Sequence, residues 1–210
     1  MSSSSFNLSE ATTEGYATAY KRELNAAVRG AWLRVLTYDQ TLGSMDSSVQ
    51  RGLTNAWNAG AAAGGILPTE FTPEEQGELK RFILGNRMRV GGFVDSIFDA
   101  PSKEEKGLLR PHLARVGLWV NTWWTVYNTA QAFAAKDRKM KFVRVKFTKK
   151  PCRSCSGLEG RVYRNSTWLA NNCIPPSRSL DCGGWRCGHR LQATDERLTP
   201  GRFPRGLLRY

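Results

Sequence analysis

Histidine is scarce in this chain: two in 210 residues, His112 and His189. That scarcity bears first on catalysis. A Ser-His-Asp arrangement needs an imidazole within reach of a nucleophile. His112 falls on an apolar helical stripe, and His189 follows closely on a cysteine cluster. A nuclease of the HNH type needs more histidines than these. No glycine-rich loop closes with Gly-Lys-Ser/Thr, so the usual phosphate cradle of nucleotide hydrolases is missing as well. The residues give an enzyme no base to work with, and the chain reads as a non-enzyme. No apolar run approaches the roughly 20 residues that a membrane-spanning helix requires. The Ser-rich start, Met1 to Ser5, has neither the basic nor the apolar region of a secretory signal. These absences lead to the expectation of a protein that works inside a cell, or in a particle assembled there, without a membrane partner.

Cysteine is also sparse, but it is concentrated. All five cysteines lie between Cys152 and Cys187. Cys152 and Cys155 form a C-x-x-C pair, Cys182 and Cys187 a C-x4-C pair, and His189 follows two residues later. A C-x-x-C turn aims two sulfurs at one point, and a second pair returning a few tens of residues later completes a tetrahedron. The spacing points to a structural zinc site on Cys152, Cys155, Cys182 and Cys187, with His189 in reserve. Two other readings compete with it. Disulfides suit an oxidising compartment, for which there is no signal. A thioredoxin-like redox pair sits between a strand and a helix, whereas Gly157 and Gly160 here favour a turn. A catalytic zinc keeps an open position, which four cysteines would close. Cys173, before Pro175-Pro176, reads as a small, partly buried thiol.

Charge is the second concentration. After residue 135 there are 18 Lys and Arg against 5 Asp and Glu, while the first 135 residues carry 13 of each sign. The whole excess of +13 therefore surrounds the cysteines. Such a local field attracts polyanions and weakens with salt. The candidate contacts to nucleic acid, or to an acidic protein partner, are Lys139, Lys141, Arg144, Lys146, Lys149 and Lys150, with Arg202, Arg205 and Arg209 near the C-terminus. Nothing resembles a base-reading helix, so any such binding would be independent of sequence.

Periodicity sets out the rest. Tyr16, Tyr20, Leu24, Ala27, Ala31 and Val35 recur at helical steps and predict a helix over about 9–36, with a break possible at Gly30. A polar link, 41–48, precedes a second helix over about 45–63, with Val49, Leu53, Trp57 and Ala61 on one face. The small run Ala59 to Gly65 permits a close helix approach or a frayed glycine stop. Thr72, Pro73 and Glu75 make a capping box for a third helix lined by Leu79, Ile83, Val90, Val94 and Ile97, which Gly91-Gly92 could bend. Ser102 to Glu105 repeats the box and predicts a fourth helix that Pro111 interrupts or kinks. Beyond it, Val116, Trp119, Trp123, Tyr127 and Ala130 share a stripe that runs to about Lys136. At Lys139 the period becomes two, which predicts a strand over 141–148 with Val143, Val145 and Phe147 on one face. Short strands follow over 160–163 and 189–193, with a helical turn over 166–170.

The fold class expected is α+β, mainly α. A flexible tail (1–8) precedes a helical bundle (9–137). A β-rich, cysteine-rich zinc module (138–195) and an extended basic arm (196–210) follow. The arm, with its prolines and glycines, cannot form a core by itself.

The cysteine stretch carries a likeness beyond its spacing. It reads C-x-x-C-x-x-L-x-G-x-V-Y, then Trp168-Leu-Ala, then P-x-S-R-x-L-x-C-G-G-W-R-C-x-x-R-L. It resembles the C-terminal module of phage Mu F-like minor head proteins, the head-morphogenesis family. Relatives often end the module His-Pro-x-Cys-Arg-Cys. Here Cys182 stands where they carry the histidine, and Gly188-His189 where others continue with Cys or Arg. The likeness covers about a fifth of the chain, and 57–100 weakly resembles the helical part of such proteins. The resemblance implies a structural virion component that acts in head assembly near the portal. It also implies the portal or major capsid protein as partner, possible contact with packaged double-stranded DNA, and residence in the virion after assembly in the host cytoplasm. The competing reading is a stand-alone, sequence-independent nucleic-acid-binding zinc protein.

Overall fold

The computed structural model describes residues 10–134, 138–144, 150–184 and 187–209. The expected tail, the boundary at 137, and the basic residues Lys146 and Lys149 lie outside the described residues. The chain is mainly helical, with one small antiparallel sheet, and is α+β in class. Four long helices come first: α1 (Glu10–Trp32), α2 (Tyr38–Gly64), α3 (Pro73–Phe98) and α4 (Leu109–Ala134). Strand β1 (Lys139–Arg144), helix α5 (Arg153–Leu158), strand β2 (Val162–Arg164), helix α6 (Asn165–Ala170) and strand β3 (His189–Ala193) follow. The contacts divide the chain into two compact units. One holds α1, α2 to Ala56, α3, and α4 to Trp123; the other holds Trp57–Glu70 and Trp124 onward.

In the helical unit, α1 buries Ala17, Tyr20, Leu24, Ala27, Val28 and Ala31. The helix passes through Gly30 and stops at Trp32, so Val35, expected on the stripe, is 73% exposed. The stop has a clear mechanism. Val35 N–H donates to Gly30 O at 2.9 Å and Arg34 N–H to Ala31 O at 2.9 Å, which is a Schellman closure. Its left-handed position is filled by Arg34, φ 55°, rather than by glycine. The side chain explains the choice. The Arg34 guanidinium donates to the carbonyls of Phe98 and Ala100 at 3.0 Å each and lies 4.7 Å from the Phe98 ring centroid. It thereby caps the C-terminal end of α3.

Helix α2 begins earlier than expected. Thr37 Oγ1 accepts Gln40 N–H at 3.3 Å, and Gln40 Oε1 accepts Thr37 N–H at 2.9 Å. This capping box starts the helix ahead of the expected polar link, 41–48, which the helix takes in. The box at Thr72 and Glu75 forms as expected and opens α3. Along α3 the buried set is Glu75, Asn86, Val90, Phe93, Val94 and Ile97, whereas Leu79 and Ile83 are only half-buried. The helix continues unbroken through Gly91 and Gly92. The second box makes a turn rather than a helix. Ser102 N–H donates to Glu105 Oε2 at 2.7 Å, but Lys106 turns left-handed (φ 61°), and Gly107 N–H closes onto Ser102 O at 2.7 Å. Helix α4 starts only at Leu109. Pro111 thus sits in its first turn, where its missing N–H costs nothing, and it opens the helix instead of kinking it. His112, Val116, Trp119 and Trp123 are buried along it.

In the second unit the end of α2 lies against the end of α4. A Cβ on Gly60 would stand 2.1 Å from Tyr127 O, and one on Gly64 would stand 2.3 Å from Ala134 Cβ. The small-residue run therefore permits a close approach. It also ends the helix: Gly65 is left-handed (φ 90°), with Ile66 N–H closing onto Ala61 O at 3.0 Å. Side-chain amides at the end of α4 then hold the cysteine-rich segment. Asn128 donates to Pro175 O, Asn165 donates to Ala132 O, and Thr125 Oγ1 lies 3.3 Å from Pro176 O.

The sheet order is β2-β1-β3, all antiparallel, with Met140 opposite Tyr163 and Phe142 opposite Leu191. The buried face of β1 is Met140 and Phe142, not the Val143 face expected from the alternation. The strand begins two residues earlier than read, and Met140 sets the phase. Trp168 on α6 is the centre of this core. It stacks on Phe142, with centroids 5.5 Å apart, and its Nε1 donates to Met140 O at 3.0 Å. Tyr163 and Phe203 meet its ring edge-on at 5.3 and 5.6 Å. Phe203 belongs to the segment expected as an extended arm. That segment docks: Phe203, Leu207 and Leu208 pack on the core, and Arg209 N–H donates to Ser179 O at 2.7 Å. Thr199 covers the edge of β2, exchanging bonds with Val162 at 2.8 and 2.9 Å. The segment has too few apolar groups for a core of its own, but it completes one offered to it.

Candidate metal centre

The two cysteine pairs meet. Cys152 caps α5, its Sγ accepting Cys155 N–H at 3.4 Å, so the C-x-x-C pair stands at the start of one short helical turn. Cys182 lies in a turn closed by Gly183 N–H to Leu180 O at 2.6 Å, followed by two left-handed glycines, Gly183 (φ 57°) and Gly184 (φ 77°). Side chains at these positions would strain the turn, which explains the Gly-Gly after Cys182. Cys187 precedes β3, and His189 opens it. Trp185, between Cys182 and Cys187, lies outside the described residues.

A reciprocal pair of hydrogen bonds fixes the two loops together. Ser154 N–H donates to Asp181 Oδ2 at 3.1 Å, and Asp181 N–H donates to Ser154 Oγ at 2.9 Å. Ser154 is fully buried. Neither residue stood out in the sequence, although each is the immediate neighbour of a cysteine and each is a residue type that bonds backbone groups.

One donor group comprises Cys152, Cys155 and Cys182; a second comprises Cys155, Cys187 and His189. Within each group the ligand atoms lie within 4.8 Å of one another, and Cys155 belongs to both. These five residues are close enough together to hold a metal ion. The Cys155 and Cys187 sulfurs are 3.7 Å apart. That is far beyond the bond of about 2.05 Å in a disulfide. It matches the spacing of about 3.8 Å between two thiolates placed about 2.3 Å from a tetrahedral centre. All five cysteines are free thiols in this structure.

Crowding polarises the thiols. Hydrogen bonds from Cys155 and Cys187 hold the Cys182 thiol well below the ordinary cysteine value. The bonds to Cys182 and Cys187, with burial, push Cys155 far up. A cluster of this kind holds a proton where a divalent cation would neutralise more than one thiolate. Cys173 stands apart: its thiol is completely buried, bonds Trp168 O at 3.5 Å, and is pushed up to about 12 by burial. It is a core residue of the unit.

His189 is buried, 3% exposed, and its ring lies 5.0 Å from that of Phe142. Burial lowers its pKa below the ordinary histidine value and keeps the ring neutral, as a ligand must be. Neither ring nitrogen has a hydrogen-bond partner among the described residues. Its Nε2 is 3.7 Å from Glu159 Oε2, which Arg144 binds through two guanidinium nitrogens at 2.7 and 3.0 Å. A carboxylate beside a histidine at a metal site is the arrangement that orients such rings.

No family model matches the chain, and no curated protein or solved structure matches it either.

The basic residues are distributed unevenly around this centre. Lys141 pairs with Glu196 at 2.7 Å, Arg144 with Glu159, and Arg209 with Asp181 at 3.5 Å. Lys139 Nζ donates to Asp195 O at 2.8 Å, and Arg205 to Asn171 Oδ1 at 3.1 Å. Lys150 and Arg202 are exposed. The docked C-terminal segment thus spends part of its charge within its own unit. Arg138 and Arg164, which the sequence reading did not single out, are exposed at the end of the sheet.

Proposed function

We propose that this chain is a structural minor head protein of a tailed phage, acting in head assembly near the portal, and that its cysteine-rich unit is a zinc-stapled module. The observation that carries the reading is the convergence of the two cysteine pairs, at the spacing of the head-morphogenesis motif that this segment resembles. Zinc fits the donor set best. Soft thiolates in a closed tetrahedron select it, and Cys152, Cys155, Cys182 and Cys187 supply four, with His189 as the alternative fifth donor. When bound, the ion ties the C-x-x-C turn to the loop before β3. Ser154 and Asp181 set those loops in place, and Glu159 orients the His189 ring. The role is one of architecture, not catalysis.

In this reading the four long helices form a bundle that docks on the portal or the major capsid protein. The basic surface of the module faces packaged DNA or an acidic protein surface, through phosphates rather than bases. The protein then resides in the virion, after assembly in the host cytoplasm. The exposed Lys150 and Arg202 also suit a stand-alone nucleic-acid-binding zinc protein. Localising the chain in particles separates the two. Density for it beside a portal ring supports the head-protein reading; its absence from particles, with salt-sensitive DNA binding by the free chain, supports the other.

A further inference from the structure

Helix α1 carries a groove of about 380 Å³ lined, among the described residues, by Thr18, Lys21, Arg22, Asn25, Ala26 and Arg29. These positions recur at helical steps on a face turned away from the buried stripe of the helix. We infer that this face is a nucleic-acid contact in the helical unit, and that it binds the phosphodiester backbone. Lys21, Arg22 and Arg29 are exposed, and none of the three has an ion-pair or hydrogen-bond partner among the described residues. Elsewhere in the unit such charges are matched: Arg51 pairs with Glu23, Arg81 with Glu78 and Arg87 with Asp46. On a helix, a carboxylate three or four residues away is what neutralises a cation locally. No Asp or Glu stands at those distances from Lys21, Arg22 or Arg29. Of the three acids of α1, Glu10 and Glu14 lie in its first two turns, and Glu23 is turned to Arg51. A cation in the last turn of a helix is favoured by the dipole, which accounts for Arg29 but not for Lys21 and Arg22 in the middle.

Asn25 lies between the cations, one turn from each end of the set. Its Oδ1 is buried and makes no hydrogen bond among the described residues. The fold leaves this amide unspent, and turned over it offers two N–H donors to an anion held between the cations. Arg22 and Arg29 stand about 10 Å apart along the axis at 1.5 Å per residue. That is about three nucleotide steps of a strand that rises 3.4 Å at each. The regular repeat of a phosphate backbone thus meets a regular repeat of donors, and guanidinium forks match phosphate oxygens. Among the described residues no aromatic ring lines the groove, so bases have nothing to stack on, and the contact is independent of sequence. It needs neither the metal nor a place in a particle.

The test uses the full chain and a short DNA duplex of arbitrary sequence. Fluorescence anisotropy follows binding from low to physiological salt for the wild type and for the triple variant Lys21→Gln, Arg22→Gln, Arg29→Gln. Lys80→Gln, which removes an exposed cation on α3, is the control. Glutamine is a good helix former and the three replaced side chains are exposed, so the triple variant should melt as the wild type does. Losing three phosphate contacts should weaken binding about tenfold at low salt and make the salt slope shallower by about 2 to 3. The control should change neither. In the wild-type chain the duplex should also shield Lys21 from acetylation, which reads the contact without any variant. Absence of duplex binding, equal affinity and slope in the triple variant and the wild type, or acetylation of Lys21 as fast with the duplex as without it would each overturn the proposal. A poly-glutamate peptide that shields Lys21 as well as the duplex does would assign the face to an acidic protein, and would overturn it too.

Discussion

The two compact units are stabilised by different means. The helical unit carries long apolar stripes, cap motifs and few cysteine-like special residues, and the chain up to residue 135 is balanced in charge. The cysteine-rich unit has a sheet of three short strands, a core built around one tryptophan, and most of its specificity in side-chain bonds and sulfur donors. Repetition in the first means that losing one residue leaves neighbours of the same kind. The second has single points of failure: Trp168, Cys155 and the Ser154–Asp181 clasp each do something that no second residue duplicates. A small core of this size ordinarily needs a further constraint, and a metal is one.

The sharpest way to break the comparison is to remove the shared sulfur. Cys155→Ser, or a strong chelator, should unfold the cysteine-rich unit while most helical circular dichroism survives. Apparent zinc stabilisation of small modules is on the order of 10 kcal/mol, so the loss should be all or none. Melting of the whole chain in one step would show that the units are not separable in energy. Next in size is Trp168→Ala, expected to cost about 3–5 kcal/mol for a fully buried aromatic. Chemical denaturation should show the loss in the cysteine-rich unit's transition alone. Gly60→Val tests the close helix approach. Its side chain meets the Tyr127 carbonyl, and overpacking of this kind costs about 1–3 kcal/mol. An unchanged melting temperature would mean that α2 and α4 can part there freely. The smallest effect falls in the helical unit. Arg34→Ala keeps the left-handed strain but loses the bonds to Phe98 and Ala100, and should cost about 1 kcal/mol. Arg34→Gly relieves the strain and should be the milder of the two, which thermal melts of the pair can rank.

How much of this was legible depended on whether a residue's role is local. The Thr72–Glu75 box, the stripe through Leu24 and Ala31, strand 189–193 and the cysteine pairing are all local patterns, and they stand where the periodicity placed them. The Thr37–Gln40 box was equally local, but it was obscured by the polar residues behind it. The Ser102–Glu105 box shows the converse: the side-chain bond forms, yet Lys106 and Gly107 turn the chain out of the helix before a second turn can follow. The phase of β1 needed Met140, whose burial depends on Trp168, far along the chain. The docking of Phe203 and Leu207 was invisible for the same reason. A segment with a few scattered apolar residues reads as an arm until a core with matching gaps is known. At the centre, the four cysteines and His189 were readable from spacing, whereas the clasp between Ser154 and Asp181 and the carboxylate of Glu159 are tertiary pairings with no periodic signature.

The central claim is that thiolates around one zinc ion hold the cysteine-rich unit together. X-ray absorption at the zinc edge, on the full chain purified without added metal or chelator, tests it directly. The account predicts one zinc per chain with three or four sulfur neighbours at about 2.3 Å. A single nitrogen neighbour in place of one sulfur would place His189 in the shell. A folded chain without metal, or one with these cysteines joined in disulfides, would contradict it.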